Sequence, residues 1–381
     1  MQPEVSIIMP AYNTEAYITQ AIQSALAQTF DRIEVIVIND CSTDRTGEIA
    51  SRFTDQRVRV IHHERNCGIT LSSNRAIAEA KGAWIAILDS DDWYAPERLE
   101  RMLQVAQAEN ADVVIDDLYL IRDGETEPWS TLIQESGAAF QGPIQIDPVF
   151  FVQTDVYGKR RCLRLGLSKP LFRRSFLDRY QIRYDESLRV VQDFWIDMEC
   201  LVHGARFILL PEPYYFYRSR PGSAVSSDRI AWLNDCCQAT ERFMQRSIVH
   251  QYPGLLPALA QRLQVFQQAR AYYQVIQPWK QRQYAAAIQA MLTQPAFWQR
   301  LVTQLPGIVA RRWQYHLLGN RSAYEMLPQP TVRKVQMTKN SESNLTNLQV
   351  SDCQSSDLKT SDLKTSDLKT SESRTSRSPL R

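Results

Sequence analysis

Short apolar runs alternate with helical patterns over the first 115 residues of the chain. Apolar residues spaced three or four apart, typical of amphipathic helices, fill the stretches between the runs. Runs of this length that end in polar turn residues are typical of strands buried on both faces of a sheet. The alternation therefore predicts an α/β fold with a doubly wound, mostly parallel sheet. The apolar runs occupy residues 5–9, 33–38, 58–61, 84–88 and 111–115.

Polar residues at the ends of these runs predict where the helices begin. Asn13 or Thr14 is expected to cap the first helix. Asp44 is expected to cap a second helix over residues 42–53, with a contribution of about 1 kcal/mol. Further helices are expected over residues 72–80 and from Pro96 onward.

The stretch Asp89-Ser90-Asp91-Asp92 directly follows the apolar run at residues 84–88. Open α/β sheets place their ligand crevice at the carboxyl ends of the strands, so these carboxylates are expected to face it. Oxygen ligands without nearby His or Cys favour Mg²⁺ or Mn²⁺, and such an ion commonly also binds substrate phosphates. The alternative is a surface loop whose acids cap the following helix, which Pro96 at a first helical position would suit.

Two common nucleotide-binding mechanisms are excluded by the turn sequences. No G-x-G-x-x-G follows the first strand, and no G-x-x-x-x-G-K-[ST] occurs in the chain. The turns hold Asn13, Asp40, Asp44 and Asn66 instead, whose side chains can form hydrogen bonds with a base or a ribose.

Composition places the protein in a reducing compartment. The seven cysteines are scattered through the 381 residues without C-x-x-C spacing, which argues against a disulfide framework or a zinc site. No signal peptide is apparent, and no apolar run has the length of a transmembrane helix. We expect a cytoplasmic protein, with a peripheral position at the inner face of the membrane as the alternative, and no nucleic acid partner.

The net charge of +2 conceals an asymmetry along the chain. Residues 1–228 carry 24 Lys and Arg against 33 Asp and Glu, whereas residues 229–321 carry 11 against 2. Residues 228–330 have a helical pattern, and the stripe at 308–318 mixes apolar residues with arginines. That stripe predicts either a packing face or contact with an anionic membrane surface. Residues 331–381 contain three copies of S-D-L-K-T and are expected to be disordered.

Several segments in a fixed order resemble family 2 glycosyltransferases, which have the GT-A fold and use nucleotide-diphosphate sugars. The resemblance covers about residues 4–225 and implies a catalytic domain over residues 1–227, followed by a helical region at 228–330 and the tail at 331–381. The matching segments are VSIIMPAYN (5–13), EVIVINDCSTDRT (34–46), RNCGITLSSNRA (65–76), LDSDDW (88–93), KPLFRRSF (169–176), QDFW (192–195) and YRSRPGS (217–223).

The resemblance implies a site for a nucleotide-diphosphate sugar donor with Mn²⁺ or Mg²⁺. Asp91 is the expected direct metal ligand, and Asp89 is expected to contact the ribose, or the metal through a water molecule. Alternatives stay open for four donor residues: Tyr12 as a core aromatic, Asp40 as a helix cap, and Arg75 and Arg218 as solvated arginines. The implied donor-binding residues are Pro10, Ala11, Tyr12, Asn13, Asp40, Asn66, Gly68, Asn74, Arg75, Asp89, Ser90, Asp92 and Arg218.

The resemblance also places the catalytic base at Asp193, the second residue of a usual Glu-Asp pair. Here Gln192 replaces the Glu, so Asp193 has one fewer negative neighbour to raise its pKa. Asp197, one helical turn further on, is the fallback candidate for the base. One carboxylate base without an evident nucleophile implies inversion at the anomeric carbon.

Together these features predict a metal-dependent, inverting glycosyltransferase that transfers a sugar, most simply from a UDP donor, to a glycan or a lipid-linked acceptor. The rival enzyme is a sugar nucleotidyltransferase, which would need a Gly-rich first turn with a phosphate-binding Lys. The rival without activity is a glycosyltransferase-like scaffold protein, and the intact Asp89, Asp91 and Asp193 weigh against it.

Overall fold

The computed structural model describes residues 2–158, 161–188, 191–220, 229–299 and 301–302. The predictions for the stripe at 308–318 and the tail at 331–381 fall outside these residues, as do the last three residues of the 217–223 segment. All described residues lie in one compact unit. None of the described helices is long and apolar enough to cross a membrane.

Ten strands form one sheet in the described residues. Each apolar run of the N-terminal half begins or fills one of them, because a continuous apolar run can be buried on both faces of a parallel sheet. The strands are β1 (Val5–Ala11), β2 (Ile33–Asn39), β3 (Val58–His62), β4 (Trp84–Ile87), β5 (Trp93–Tyr94), β6 (Val113–Arg122), β7 (Ser130–Thr131), β8 (Ile144–Ile146), β9 (Leu171–Arg173) and β10 (Phe207–Ser219).

The strand order is β3-β2-β1-β4-β9-β6-β10-β5, with β7 beside β6 and β8 beside β10. Strands β1 to β4 pair in parallel, as do β6 and β10, and β9 runs antiparallel between β4 and β6. The predicted α/β fold with a doubly wound, mostly parallel sheet is therefore confirmed. The carboxyl ends of β1, β2 and β4 lie at one edge, where their polar turns meet.

Eleven α-helices surround this sheet in the described residues. Apolar side chains from the helices form one core cluster on each face of the sheet. The helices are α1 (Ile18–Leu26), α2 (Thr46–Ser51), α3 (Ile69–Glu79), α4 (Arg98–Ala108), α5 (Leu132–Ser136), α6 (Pro148–Thr154), α7 (Arg174–Tyr180), α8 (Gln192–Val202), α9 (Arg229–Met244), α10 (Leu255–Lys280) and α11 (Tyr284–Thr293).

The prediction that Asn13 or Thr14 caps the first helix is wrong. Helix α1 begins at Ile18 after Tyr17, and no side chain caps it. Asn13 instead adopts a left-handed conformation, and its Oδ1 accepts a hydrogen bond from the Thr43 amide at 2.9 Å. The second helix is shorter than the predicted 42–53, and the residue directly before it is Arg45, whose side chain does not cap it. Asp44 nevertheless accepts the amide N–H of Thr46, the first residue of α2, through Oδ1 at 2.9 Å.

The acidic segment after β4 is held across the sheet by a short strand. Strand β5 follows Asp92 directly and pairs antiparallel with β10. In the strand order β5 lies four places away from β4. Trp93 stacks on Phe216 of β10 with ring centroids 4.8 Å apart. The segment therefore lies along the carboxyl edge of the sheet between β4 and β10.

A fully buried ion pair lies beneath this segment. Arg98, the first residue of α4, donates two hydrogen bonds to Asp116 of β6, at 2.9 Å and 2.7 Å, and a third to the carbonyl of Lys169. Its guanidinium lies over the rings of Tyr94 and Tyr215, 4.3 Å and 5.1 Å from their centroids. Burial raises the pKa of Asp116 and Arg98 opposes that rise, so each charge depends on the other.

Removing one partner of this pair should destabilise the whole fold. Asp116→Ala leaves the Arg98 guanidinium buried without its counter-ion, so the free energy of unfolding should fall by about 3–5 kcal/mol. Equilibrium denaturation in urea measures the change. Glu212→Ala is the matched control: it breaks the Arg101–Glu212 pair, whose side chains are 40% and 45% exposed, and should cost about 1 kcal/mol or less. Equal losses in the two variants would contradict a structural role for the buried pair.

Candidate functional site

A cavity of about 700 Å³ opens at the carboxyl edge of the sheet. It extends from the end of β1 to the helices α8, α9 and α10. Ten of the residues predicted from the sequence line it, and the fold brings them together from five separate segments. These residues are Pro10, Ala11, Tyr12, Asp40, Asp89, Ser90, Asp91, Asp92, Asp193 and Arg218.

Asp40 directly follows β2, lines the cavity and is almost completely buried. Its Oδ1 accepts hydrogen bonds from the Cys67 amide at 2.8 Å and lies 2.9 Å from His63 Nδ1. Its Oδ2 accepts the Gly68 amide at 2.8 Å. Gly68 has φ +87°, a backbone conformation that glycine adopts without strain. These bonds fix the carboxylate and leave Oδ2 one lone pair for a ligand.

Asp40, His63 and Cys67 also form a group of three ligand-type side chains, whose nearest oxygen, nitrogen and sulfur atoms lie within 4.8 Å of one another. The hydrogen bonds that Asp40 accepts already use most of its lone pairs. The contacts of Asp40 with His63 Nδ1 and with the Cys67 and Gly68 amides therefore account for its orientation without an ion.

Tyr12 is 45% exposed and lines the cavity, so the interpretation of this residue as a core aromatic is wrong. The neighbouring Ser90 is buried, and its Oγ lies 3.1 Å from Thr14 Oγ1, which ties the turn after β1 to the acidic segment. An exposed ring beside a fixed carboxylate provides a stacking surface next to a hydrogen-bond acceptor.

Each carboxylate of the acidic segment has a different partner in the chain. Asp89 Oδ2 lies 2.9 Å from Lys169 Nζ, and Asp91 Oδ2 lies 2.5 Å from Arg220 Nε. Asp92 is buried and accepts the Tyr215 hydroxyl at 2.8 Å and the Arg218 amide at 2.7 Å. Burial, followed by the charges of Asp91 and Asp89, raises the pKa of Asp92 well above its usual range. Asp92 therefore holds β10 against this segment, while Asp89 and Asp91 face the cavity.

Arg218 is held in place on β10, contrary to the alternative of a solvated loop residue. Its Nε donates to the Asp91 carbonyl at 2.9 Å, and its guanidinium lies over the rings of Tyr17 and Trp93, 4.9 Å and 4.7 Å from their centroids. Arg220, two residues further on, contacts the Asp91 carboxylate directly. Two arginines therefore lie at the acidic segment, where they can bind phosphate oxygens bidentately.

Lys169 connects the acidic segment with the predicted base. Its Nζ lies 2.6 Å from Asp193 Oδ2 and 2.9 Å from Asp89 Oδ2, and the side chain is almost completely buried. Burial alone would lower the pKa of Lys169, but Asp193 and Asp89 together raise it well above its ordinary value. Lys169 is therefore a fixed positive charge between two carboxylates.

Asp193 lies in the first turn of α8, where the helix dipole favours a negative charge. Burial raises the pKa of Asp193 and the Lys169 ammonium opposes that rise. Val191, the residue before the helix, has φ +54°, a strained conformation for a β-branched side chain. Strain of this kind is commonly stored at functional sites.

The fallback base Asp197 is fully buried, and neither carboxylate oxygen has a hydrogen-bond partner among the described residues. Burial, followed by the charge of Asp193, raises the pKa of Asp197 well above its usual range. Asp197 is enclosed and does not line the cavity, whereas Asp193 does.

Five predicted donor-binding residues lie outside the cavity lining. Asn74 forms hydrogen bonds with the backbone amide and carbonyl of Tyr184, both at 2.9 Å, and so fixes the chain before α8. Arg75 is exposed and pairs with Glu79 at 2.8 Å, as in the alternative of a surface arginine. The other three are Asn13, Asn66 and Gly68.

Another part of the cavity lining, here called the aromatic end, consists of Tyr157, Trp232 and Phe266. Their ring centroids lie 5.2–5.8 Å apart. Beside it, Arg262 of α10 lies over the Phe194 ring, 3.7 Å from its centroid, and its Nη1 binds Asp155 Oδ2 at 3.0 Å. Helix α10 thereby supports the residue that follows Asp193.

The sequence patterns gave no role to Lys169, Arg220 or Arg262. Lys169 and Arg220 occur within the matched segments KPLFRRSF and YRSRPGS. A search of these segments for a positive partner of each carboxylate could have found both residues. Arg262 had no comparable signal, because it lies in a helical pattern about 70 residues after Asp193.

The carboxylates fit a hard divalent cation. Asp89 and Asp91 present oxygen ligands to the cavity, which is the chemistry that Mg²⁺ and Mn²⁺ prefer. The Lys169 ammonium and the Arg220 guanidinium contact these same carboxylates and show that the position attracts positive charge. Asp91 would have to exchange its contact with Arg220 for a metal ion.

The profile of the family described as glycosyl transferase family 2 matches residues 6–177. The succinoglycan biosynthesis protein ExoO of Rhizobium meliloti is 34% identical over 295 residues, which cover 77% of this chain and 82% of ExoO. The uncharacterized glycosyltransferase EpsJ of Bacillus subtilis is 28% identical over 70% of this chain and 75% of EpsJ. The chain belongs to glycosyl transferase family 2 and is a glycosyltransferase.

Solved structures share the fold at lower sequence identity. Residues 1–349 of S. aureus TarS in complex with UDP-GlcNAc superpose with a TM-score of 0.57 at 22% identity, covering 75% of this chain and 81% of that one. The mannosyltransferase PcManGT from Pyrobaculum calidifontis, in complex with GDP-Man and Mn²⁺, gives a TM-score of 0.53 at 17% identity, covering 85% of this chain and 87% of PcManGT. The GT-A-type fold is therefore confirmed.

Replacing Lys169 should shift the titration of Asp193. In Lys169→Met the nearest positive charge is lost while Asp89 remains, so the pKa of Asp193 should rise by about one unit or more. Because a base must be deprotonated, the acidic limb of the pH–rate profile should move to higher pH by the same amount. Carbon-13 NMR titration of the aspartate carboxyls and the pH dependence of nucleotide diphosphate release measure the two shifts.

Lys169→Arg is the matched control for charge, and it should keep the pKa of Asp193 close to that of the wild type. A Met variant whose Asp193 titrates as in the wild type would contradict the electrostatic role of Lys169.

Proposed function

We propose that this glycosyltransferase transfers a sugar from a nucleotide-diphosphate donor, with UDP as the nucleotide, to a hydroxyl group of a glycan or lipid-linked acceptor, with inversion and with a divalent cation. The observation that carries the proposal is the joining of Asp89 and Asp193 through Lys169 within one cavity. That arrangement holds Asp89, a carboxylate suited to a metal ion, at a fixed separation from Asp193, a carboxylate suited to act as a base.

The comparisons support the donor class and the biosynthetic context. TarS and PcManGT were solved with UDP-GlcNAc and GDP-Man, and PcManGT also with Mn²⁺. ExoO is a succinoglycan biosynthesis protein, which supports a role for this chain in assembling a polysaccharide.

The donor would bind with its base at Asp40 and Tyr12. The remaining lone pair of Asp40 Oδ2 would accept a hydrogen bond from an imide N–H, and the exposed Tyr12 ring would stack on the base. Asp91, together with Asp89, would hold the cation, and the cation would neutralise the charge of the diphosphate. Arg218 and Arg220 lie beside Asp91 and would bind phosphate oxygens.

Asp193 would act as the general base on the acceptor. Its free oxygen would take the proton of an acceptor hydroxyl while that oxygen attacks the anomeric carbon. The bond from the anomeric carbon to the donor phosphate oxygen would break in the same step, and its electron pair would leave with the nucleotide diphosphate. A single displacement inverts the anomeric configuration. Lys169 would keep Asp193 charged and therefore basic.

Neither rival function has a supporting observation. The end of β1 and the turn after it contain Pro10, Ala11 and Tyr12 and no glycine or lysine, which disfavours a nucleotidyltransferase. The carboxylates of Asp89, Asp91 and Asp193 line an open cavity, which disfavours an inactive scaffold.

A pair of variants separates donor binding from transfer. Asp91→Ala should lose Mn²⁺-dependent binding of the donor because the direct ligand is absent. Asp193→Asn keeps the size and hydrogen bonding of the side chain but cannot accept a proton at neutral pH. It should bind the UDP-sugar as the wild type does while transfer falls by about 10²-fold or more. Calorimetric titration of donors with Mn²⁺ and the release of nucleotide diphosphate measure these effects.

Asp197→Asn serves as the control for Asp193, since both are aspartates of the same helix and only Asp193 lines the cavity. Loss of transfer in Asp197→Asn but not in Asp193→Asn would move the base to Asp197. Unchanged Mn²⁺-dependent turnover in Asp91→Ala would remove Asp91 from the metal site.

We also propose that the protein contacts the membrane surface through α11. Tyr284, Ile288 and Leu292 recur every four residues along this helix and are 51%, 51% and 78% exposed. Trp279 and Trp298 nearby in sequence are about half exposed, and residues 229–321 carry nine more basic than acidic side chains. Apolar and aromatic side chains with basic neighbours suit an anionic lipid surface.

Ile288→Ser with Leu292→Ser should abolish this contact. The wild-type protein is expected to co-sediment with vesicles containing anionic lipids at low salt and to be released by high salt, because the attraction is partly electrostatic. The double variant should stay in the supernatant. Leu71→Ser removes an exposed leucine of α3 and should bind as the wild type does. A wild-type protein that ignores such vesicles even at low ionic strength would refute the membrane contact.

A further inference from the structure

Two arginines outside the acidic segment line the cavity without a counter-ion. They are Arg164 and Arg229, and among the described residues neither has a carboxylate partner. By contrast, Asp155, an acid of the same region, is bound by Arg262. Two arginines that face one cavity without counter-ions favour an anionic ligand between or beside them.

The backbone at Arg164 supports a built position. Arg164 has φ +44°, which is uncommon for a residue other than glycine, and it is fixed by hydrogen bonds from its amide to the Thr154 carbonyl and from the Leu167 amide to its own carbonyl, both at 3.0 Å. The backbone of Arg164 is therefore fixed on both sides, and its exposed side chain lines the cavity.

The aromatic wall provides a second, independent feature. The indole Nε1 of Trp232 is buried and has no hydrogen-bond partner among the described residues. The Arg229 guanidinium lies over the Trp232 ring, 5.9 Å from its centroid. Aromatic rings with an unsatisfied donor and adjacent polar groups are typical of ligand pockets, and the apolar C–H face of a pyranose ring packs against such surfaces.

The chain elements at this end differ from those that hold the carboxylates. Trp232 and Arg229 belong to α9 and Phe266 to α10, beyond the residues 6–177 that match the family. The aromatic end is therefore partly built by the basic helical region. The predicted donor residues Pro10 to Asp92, by contrast, fall within the part that matches the family.

We propose that the aromatic end is an acceptor subsite for an anionic carbohydrate: a sugar ring packs against Tyr157 and Trp232, and a phosphate or carboxylate group joined to it binds Arg164 and Arg229. This inference rests on the proposed function and adds the substrate class. The anion would be either the diphosphate of a lipid-linked sugar or an acidic group on a glycan.

Binding of three matched probes tests the proposal. Octyl β-glucoside is neutral, octyl β-glucuronide carries a carboxylate, and farnesyl-diphosphate-linked glucose carries a diphosphate. Each is titrated calorimetrically, below its critical micelle concentration, into the full-length protein with UDP present. At least one anionic probe should bind about tenfold or more tightly than the neutral probe, and the stronger of the two identifies the source of the charge. Equal affinities, or no binding of any probe, would overturn the proposal.

Variants locate the charge within the cavity. Arg164→Gln and Arg229→Gln should each reduce the affinity for the anionic probe by about tenfold while leaving the neutral probe unchanged. Trp232→Leu keeps apolar volume but loses the ring and should weaken both probes. Arg161→Gln, which removes a nearby exposed arginine outside the cavity lining, should behave as the wild type. Thermal melting confirms that each variant is folded.

A separate titration of UDP and UDP-sugars distinguishes the two proposals. If Arg164→Gln or Arg229→Gln weakens donor binding to the same extent as it weakens the anionic probe, these arginines serve the donor diphosphate and the acceptor subsite is refuted. If no nucleotide or nucleotide sugar binds the wild type while the anionic probe binds as expected, the proposed function fails and the anion site remains.

Discussion

The buried pair of Arg98 and Asp116 is the interaction on which the site depends. It joins the first turn of α4 to β6, and a third hydrogen bond from Arg98 reaches the carbonyl of Lys169, whose ammonium group contacts Asp89 and Asp193. The guanidinium also lies against Tyr94 and Tyr215, the second of which donates to Asp92. A buried charge that loses its partner costs several kcal/mol, because water cannot replace that partner. Arg98 and Asp116 therefore stay paired in the folded protein. The buried pair thereby fixes Lys169 and Tyr215, the residues that contact Asp89, Asp193 and Asp92.

From this anchor the carboxylates acquire different properties although they carry the same functional group. Asp92 is enclosed, bonded to β10 and has a raised pKa, which suits a structural link between strands. Asp193 is partly buried but paired with Lys169, so burial and the ammonium charge act on its pKa in opposite directions. Asp197 is enclosed, has no hydrogen-bond partner among the described residues, and has a pKa raised well above its usual range. Three side chains with the same functional group thus have different surroundings, and of the two aspartates on α8 only Asp193 lines the cavity.

The charged groups of the cavity differ in how they are paired. Asp89 and Asp91 line it and contact Lys169 and Arg220, whereas Arg164 and Arg229 also line it and have no carboxylate partner among the described residues. Asp193 of α8 lines the same cavity and shares Lys169 with Asp89. The basic part of the chain supplies α9 and α10, and with them Arg229.

The sequence alone determined the alternation of strands and helices, the parallel sheet and the position of the acidic segment at a strand end. These follow from local periodicity and from the rule that strand ends share an edge, so they need no knowledge of distant contacts. Only the tertiary structure decided that Asn74 and Arg75 lie away from the cavity, that Lys169 joins Asp89 to Asp193, and that Arg262 supports Phe194. Apart from the Arg75–Glu79 pair, which spans one turn of α3, the partners in those contacts are 24 to 110 residues apart in the sequence. Which side chain turns inward depends on packing between elements, and a one-dimensional pattern does not contain that information.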